Sequence, residues 1–269
     1  PFCAFFSYLF SNKRLTHTKG LYVDPKSEFF DWIMKVINDP IYQKKYPETC
    51  TFVQQHFHQV RLDPDKESNK GVLDPICFIP NRVAAKDMAQ DLFEELYDFA
   101  SAREKKSRLA MLEGIEVVLK KRDYGERVGL LHVVDFMLEN TNEEVQDTAN
   151  LIKKSVQGSI LELAFSYGEN EGLNLHNKVT VLEVLGLEMP RAETLSSDYS
   201  ATQRKSIMLM MCIGKFCELF GLRDREESTV VLFDESWIFN TSKNGRAIIK
   251  SMRRVGRSFN NTLIIEVTA

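Results

Sequence analysis

The sequence predicts an α/β fold: a mostly parallel, doubly wound sheet carrying an all-α insertion. Three observations predict it. Strand, helix and strand alternate near the start, in GLYVDPKSE, FFDWIMKVI and HFHQVRLD. The alternation returns at the end, through NKVTVLEVLGL, a long helix, TVVLFDE, a further helix and NTLIIEVTA. Between these stretches, from about Lys86 to Ala164, the chain is nearly all helix-forming, with few breakers.

PFCAFFSYLF reads as a buried helix, ended by the polar SNKRLTHTKG. LYV is a short apolar strand, followed at once by a polar loop from Asp24 to Glu28. Phe29, Phe30, Ile33, Met34 and Ile37 then fall at helical spacing. Phe57, Val60 and Leu62 mark a second strand, and DPDKESNKGVLDP is rich in turn residues. In the helical middle, Leu130, Val133, Val134, Met137 and Leu138 keep one face apolar. TNEEV offers Thr141 or Asn142 as an N-cap, with acids in the first turn. Val179, Val181 and Val184 return to strand character, and ATQRKSIMLMMCIGKFCELFG is a long helix with Gly221 as its C-cap. The chain thus divides into 1–85 and 165–269, two parts of one core, around a helical subdomain at 86–164.

Composition narrows the function classes. With 43% hydrophobic and 27% charged residues, the chain is globular rather than disordered. A net charge of −3 argues against a dedicated nucleic-acid surface, while leaving room for a local basic patch. Five cysteines without a C-x-x-C pair fit reduced, packed thiols better than a disulfide framework or a zinc site, Cys212 and Cys217 among them. No segment approaches the roughly 18 uninterrupted apolar residues of a membrane span, and no signal-peptide pattern opens the chain. It begins with Pro1 rather than Met, as an excerpt from a longer protein would.

The chemistry concentrates at strand ends. Thr229 to Phe233 runs straight into Asp234 and Glu235. A strand closing in a capped turn explains one acid. A nucleotide site explains both: the Asp holds magnesium through its water shell, and the Glu polarises the attacking water. Arg253, Arg254 and Arg257 follow, either as phosphate-binding guanidiniums or as a solvated helix end. Asp24, Lys26 and Glu28 lie at another strand end on the same presumed edge, lining a nucleotide or a partner-subunit face, or forming a turn begun by Asp-Pro. His56 and His58 would share a strand face, but two histidines without a third ligand make a poor metal site. The sequence contains no G-x-x-x-x-G-K-[ST] loop, the element that cradles phosphates.

VVLFDESWIF, SMRRVGRSFNNTLIIEVT, GLYVDPKSE, NKGVLDP and NKVTVLEVLGL, in this arrangement, resemble the large conjugation ATPases of type IV secretion systems. The likeness is closer to the versions on mobile elements of Gram-positive bacteria, within the HerA and FtsK branch of RecA-like motors, and it runs over almost the whole chain. The resemblance implies a RecA-like P-loop NTPase core with a helical insertion, ATP and magnesium as ligands, and a hexameric ring. It implies a place at the cytoplasmic face of the bacterial membrane and partners among the channel components, with DNA possible but not indicated by charge. Asp234 and Glu235 match the family's Walker B pair, with Asp234 on the metal side. Arg253, Arg254 and Arg257 fall in the region presented to a neighbouring subunit's nucleotide; Asp24, Lys26 and Glu28 fall in the Asp-Pro-Lys-like segment. The phosphate loop and its strand would precede Pro1, and the last strand ends Thr268-Ala269 where the family has Thr-Gln. Without that upstream strand, the strand of Asp234 is expected to have an unpaired edge, and the chain alone to fold poorly and not to hydrolyse ATP.

Two other classes compete. A non-catalytic scaffold would use the helical block as a docking surface. A DNA-pumping motor would need a basic pore loop, for which KKSR (105–108) and LKKR (119–122) are candidates that also read as solvated helix faces.

Overall fold

In the computed structural model, the described residues are 18–265, except 27, 98, 100–103, 192, 225, 241–242 and 257–259. The expected PFCAFFSYLF helix, Cys3, Arg257 and the Thr268-Ala269 end lie outside them. Five described strands form one parallel sheet: β1 (Thr18–Asp24), β2 (Phe57–Leu62), β3 (Val179–Val184), β4 (Ser228–Phe233) and β5 (Asn261–Ile265), in the order β2-β3-β1-β4-β5. β1 is central, with Val23 opposite Leu182 on one side and Phe233 on the other. The strand that carries the chain to Asp234 therefore has no free edge. β1 occupies one side of β4 and β5 the other, so the expected gap is not there, and the sheet's edges fall on β2 and β5.

Parallel strands need covered faces, and their side chains alternate between them. Tyr22, Val179, Val181, Val230 and Leu232 face helices α1 (Phe29–Asn38) and α3 (Pro47–His56), against Phe29, Ile33, Ile37, Cys50 and Val53. The short α2 (Pro40–Lys45) joins these two, begun by Asp39, whose carboxylate accepts the Ile41 N–H at 2.7 Å. His56 ends α3 instead of sharing a strand face with the exposed His58.

Leu21, Val23, Leu182, Val184, Val231 and Phe233 face the other way, into a second and larger core. Here lie α4 (Pro75–Phe78), α5 (Arg82–Leu96), α6 (Lys105–Asp123), α7 (Leu130–Leu138), α8 (Glu143–Val156), α9 (Ala201–Leu222) and α10 (Lys243–Gly256). One continuous apolar cluster joins the helical middle to the sheet. Its chain ends signal as the sequence implies. Asn142 caps α8, with Glu143 and Glu144 in the first turn and Lys153 and Lys154 in the last. The basic runs are partly spoken for: Arg108 pairs with Glu94, and Arg122 donates to the Ile76 and Ile79 carbonyls.

Asp74 ties the block to the core. It is fully buried, and its Oδ2 accepts the Leu130 N–H (2.8 Å), the Ser166 N–H (3.1 Å) and the Ser166 hydroxyl (2.9 Å). Its Oδ1 accepts the Ile76 N–H at 2.9 Å. One carboxylate thus starts two helices, α4 and α7, and anchors the loop after α8.

The helix α9 buries most of its length, Cys212 and Cys217 included. Gly221 is not its C-cap. The helix runs on to Leu222, and the glycine is a point of close approach: a Cβ there would lie 2.7 Å from Asn261 Nδ2, which hydrogen-bonds the Gly221 carbonyl. Gly214 does the same for the site below. A Cβ on it would come within 2.5 Å of the Phe239 ring, which is fully buried and packs edge-on to Phe233 at 4.9 Å. Gly214→Ala should therefore push on the turn after β4 and cost about 1–3 kcal/mol in chemical denaturation. Among the described residues, no helix is long and apolar enough to cross a membrane.

Candidate active site

In a parallel sheet, the carboxyl ends of the strands share one edge, and ligands bind there. β1 delivers Asp24 to that edge, β3 delivers Glu183, and β4 delivers Asp234 and Glu235. The Asp234 N–H donates to the Val23 carbonyl at 3.2 Å, extending the β1–β4 ladder to the acid itself. Its carboxylate then turns the chain, Oδ1 accepting the Glu235 N–H at 3.0 Å. Glu235 has φ = 57°, the left-handed region, which costs a non-glycine residue about 1–2 kcal/mol. A short 3₁₀ turn, Ser236–Asn240, follows. Strain at a strand end between two acids marks a place where geometry is held against local preference.

The turn brings Glu235 onto Lys26, in the loop after β1. The Lys26 ammonium pairs with Glu235 Oε1, and the Trp237 indole N–H donates to Oε2. Burial pushes the Glu235 carboxyl up, but the hydrogen bonds from Lys26 and Trp237 and the lysine's charge outweigh it, leaving the group below the ordinary glutamate range. Lys26 is raised in turn, first by its hydrogen bond to Glu235. Asp234 is half-buried, with the Tyr22 hydroxyl 3.4 Å from its Oδ2.

Asp24 is closed in. It is 1% exposed, and its Oδ2 accepts the Phe29 N–H at 2.8 Å, capping α1 from four residues before the helix's own N-cap position. Burial raises its pKa first of all, and the nearby Glu183 and Asp234 charges add to it. Glu28 is exposed beside this group.

Arg253 and Arg254 are elsewhere. They are exposed in the last turn of α10, whose end lies against Asn261 at the start of β5. A helix between parallel strands runs back across the sheet, so this turn sits at the amino edge, opposite Asp234. With Arg246 and Lys250 they form one cationic helix face, at i, i+4, i+7 and i+8. One chain does not bring these arginines and the two acids together.

Three residues of this region fall outside the candidates that the sequence offers: Glu183, Arg61 and Trp237. Glu183 is fully buried, opposite both Asp24 and Arg61 in register, and its Oε2 accepts from Arg61 Nε at 3.0 Å, while Oε1 has no hydrogen-bond partner among the described residues. The available clue is an acid inside VTVLEV, a strand otherwise without charge, where a buried carboxylate must find a partner.

The matching family model is that of the AAA-like domain, over residues 3–268. The chain belongs to the AAA-like domain family. It is 36% identical over 253 residues to the uncharacterized protein YddE of Bacillus subtilis (strain 168), covering 94% of this chain but 30% of that protein. Its fold matches that of VirB4 of Thermoanaerobacter pseudethanolicus, with a TM-score of 0.60 and 14% identity, over 98% of this chain and 91% of that one. The fold is thus of the RecA-like P-loop NTPase type, as the resemblance implied.

The edge suits magnesium and a nucleotide in one particular way. Among the described residues, no three acids, histidines or cysteines are arranged to enclose a metal ion. Magnesium at such sites keeps several waters and takes one or two carboxylates together with phosphate oxygens. The half-open Asp234 fits that demand, and the buried Asp24, with Oδ2 engaged by Phe29, does not.

Proposed function

We propose that this chain is the motor domain of a conjugation-type ATPase, whose parent protein hydrolyses ATP to drive transfer through a type IV secretion channel. The single observation that carries the reading is the pairing of Asp234 and Glu235 at the carboxyl edge, with Glu235 held in a left-handed turn against Lys26. Asp234 would hold magnesium through its waters, and the bound ion would offset phosphate charge. Glu235 orients the attacking water and takes its proton. Lys26 lies beside the place for the terminal phosphate. An arginine from the 253–257 run of a neighbouring subunit stabilises the charge that develops there, as the amino-edge position of Arg253 and Arg254 favours a partner over their own chain. Such a site needs a ring, a phosphate-binding loop from the rest of the protein, and a position at the cytoplasmic face of the membrane.

The scaffold reading stands second, supported by the exposed Val83, Leu109, Val117 and Tyr124 on and beside the helical block. Steady-state ATP turnover by the longer protein decides between them. Magnesium-dependent turnover, abolished by a chelator and restored by added magnesium, is the expected result. No turnover at concentrations where a ring assembles would favour the scaffold.

A further inference from the structure

Both oxygens of Glu235 are engaged: Oε1 by the Lys26 ammonium and Oε2 by the Trp237 indole. A carboxylate holding two donors, one of them a cation, is a weaker base toward water, because these bonds stabilise its charged form and take two of its roughly four lone-pair sites. The two donors differ in freedom. Trp237 sits two residues along, in the 3₁₀ turn that follows Glu235, whereas Lys26 reaches across from the neighbouring loop on a flexible four-carbon stem. The Lys26 side chain is 52% exposed and that of Glu235 16%, so the ammonium borders the open edge while the carboxylate lies behind it. An anion arriving at this edge meets the lysine first.

We propose that Lys26 and Trp237 clasp Glu235 in a resting position, and that Lys26 exchanges Glu235 for the terminal phosphate of a bound nucleoside triphosphate. The phosphate carries more negative charge than one carboxylate and competes for a compact cation. Once Lys26 leaves, Glu235 loses one of its two anchors and turns toward the water it is to activate. A diphosphate lacks the competing group and leaves the clasp closed. Lys26 is thus a positioning residue that makes Glu235 available only when there is a phosphate to cleave. The inference rests on the hydrolysis reading of Glu235 given above.

Trp237 is a built-in reporter, since the chain's other tryptophan, Trp32, lies on the exposed side of α1. In the longer protein with Trp237 as its sole tryptophan, a non-hydrolysable ATP analogue with magnesium should shift the Trp237 emission, and ADP should not. Lys26→Met should show the shifted emission with no nucleotide present, so the test holds even if the variant binds nucleotide poorly. Lys26→Arg, which keeps the charge, should retain the triphosphate-specific shift. Equal shifts with ADP and the analogue, or a nucleotide-free Lys26→Met indistinguishable from wild type, would overturn the clasp. The two readings fail separately: if Glu235→Gln leaves turnover intact the hydrolysis reading falls, whereas unchanged Trp237 emission with turnover still dependent on Glu235 removes the clasp alone.

Discussion

Asp74→Ala is expected to cost the fold on the order of 3–6 kcal/mol, the largest stability loss from any single side chain discussed above. The carboxylate accepts three backbone N–H groups, of Ile76, Leu130 and Ser166, in a fully buried setting. Alanine leaves all three without a partner, at about 1–3 kcal/mol each, with partial relaxation of the two helix starts. Against a total stability of roughly 5–15 kcal/mol for a domain, that brings the protein close to unfolding. Chemical denaturation measures it, and a loss below about 1 kcal/mol would mean that Asp74 does not hold the junction.

The same residue sets a pH dependence. Burial pushes the Asp74 carboxyl up to about 7, although the hydrogen bonds from Leu130, Ser166 and Ile76 pull it down. The folded protein then holds this proton more tightly than the unfolded chain. The stability linked to it is full below the ordinary 3.8, and is lost as pH rises through 7. Asp74→Asn keeps an acceptor for most of the donors and does not titrate. It should cost less than alanine and flatten the stability profile between about pH 4 and 8 relative to wild type.

Asp74 also shows where the sequence stops being legible. DPDKESNKGVLDP is a loop by its turn residues, and that is how it folds, but nothing in the string says that Asp74 reaches Leu130 and Ser166, 56 and 92 residues away. Strands, by contrast, announce themselves locally. LYV, HFHQVRL, VTVLEV and TVVLF carry the apolar, β-branched pattern of buried strands, and four of the sheet's strands follow from them. Their order does not. A gap beside β4 is expected only if an unseen strand takes the centre, and hydrogen bonding puts β1 there instead.

The site divides along the same line. Asp234 and Glu235 are visible because an apolar strand rarely ends in two adjacent charges without cause. Lys26 is visible as part of a loop, but its pairing with Glu235 is a product of strand adjacency, β1 beside β4. Glu183 and Arg61 are hidden for the opposite reason: each is a charge within a strand, and only the register Arg61–Glu183–Asp24 across three strands makes them neighbours. Gly221 is ambiguous in sequence because a glycine near a helix end serves equally as a stop or as a point of close approach, and Asn261 is distant in sequence.

The chemical reading of the carboxyl edge rests on Glu235, and Glu235→Gln in the longer protein tests it most directly. Glutamine keeps the size of the side chain and the ability to accept from Trp237, but cannot take a proton from water. Loss of a general base lowers turnover by about 10²–10⁴-fold. Nucleotide affinity should survive, since Asp234 and the phosphate-binding elements are untouched. Single-turnover ATP hydrolysis, measured beside equilibrium binding of a fluorescent ATP analogue, separates the two. A collapse in the hydrolysis step with binding retained is the expected outcome. Hydrolysis within a few-fold of wild type would contradict it, and would leave the strained turn at Glu235 without a catalytic reason.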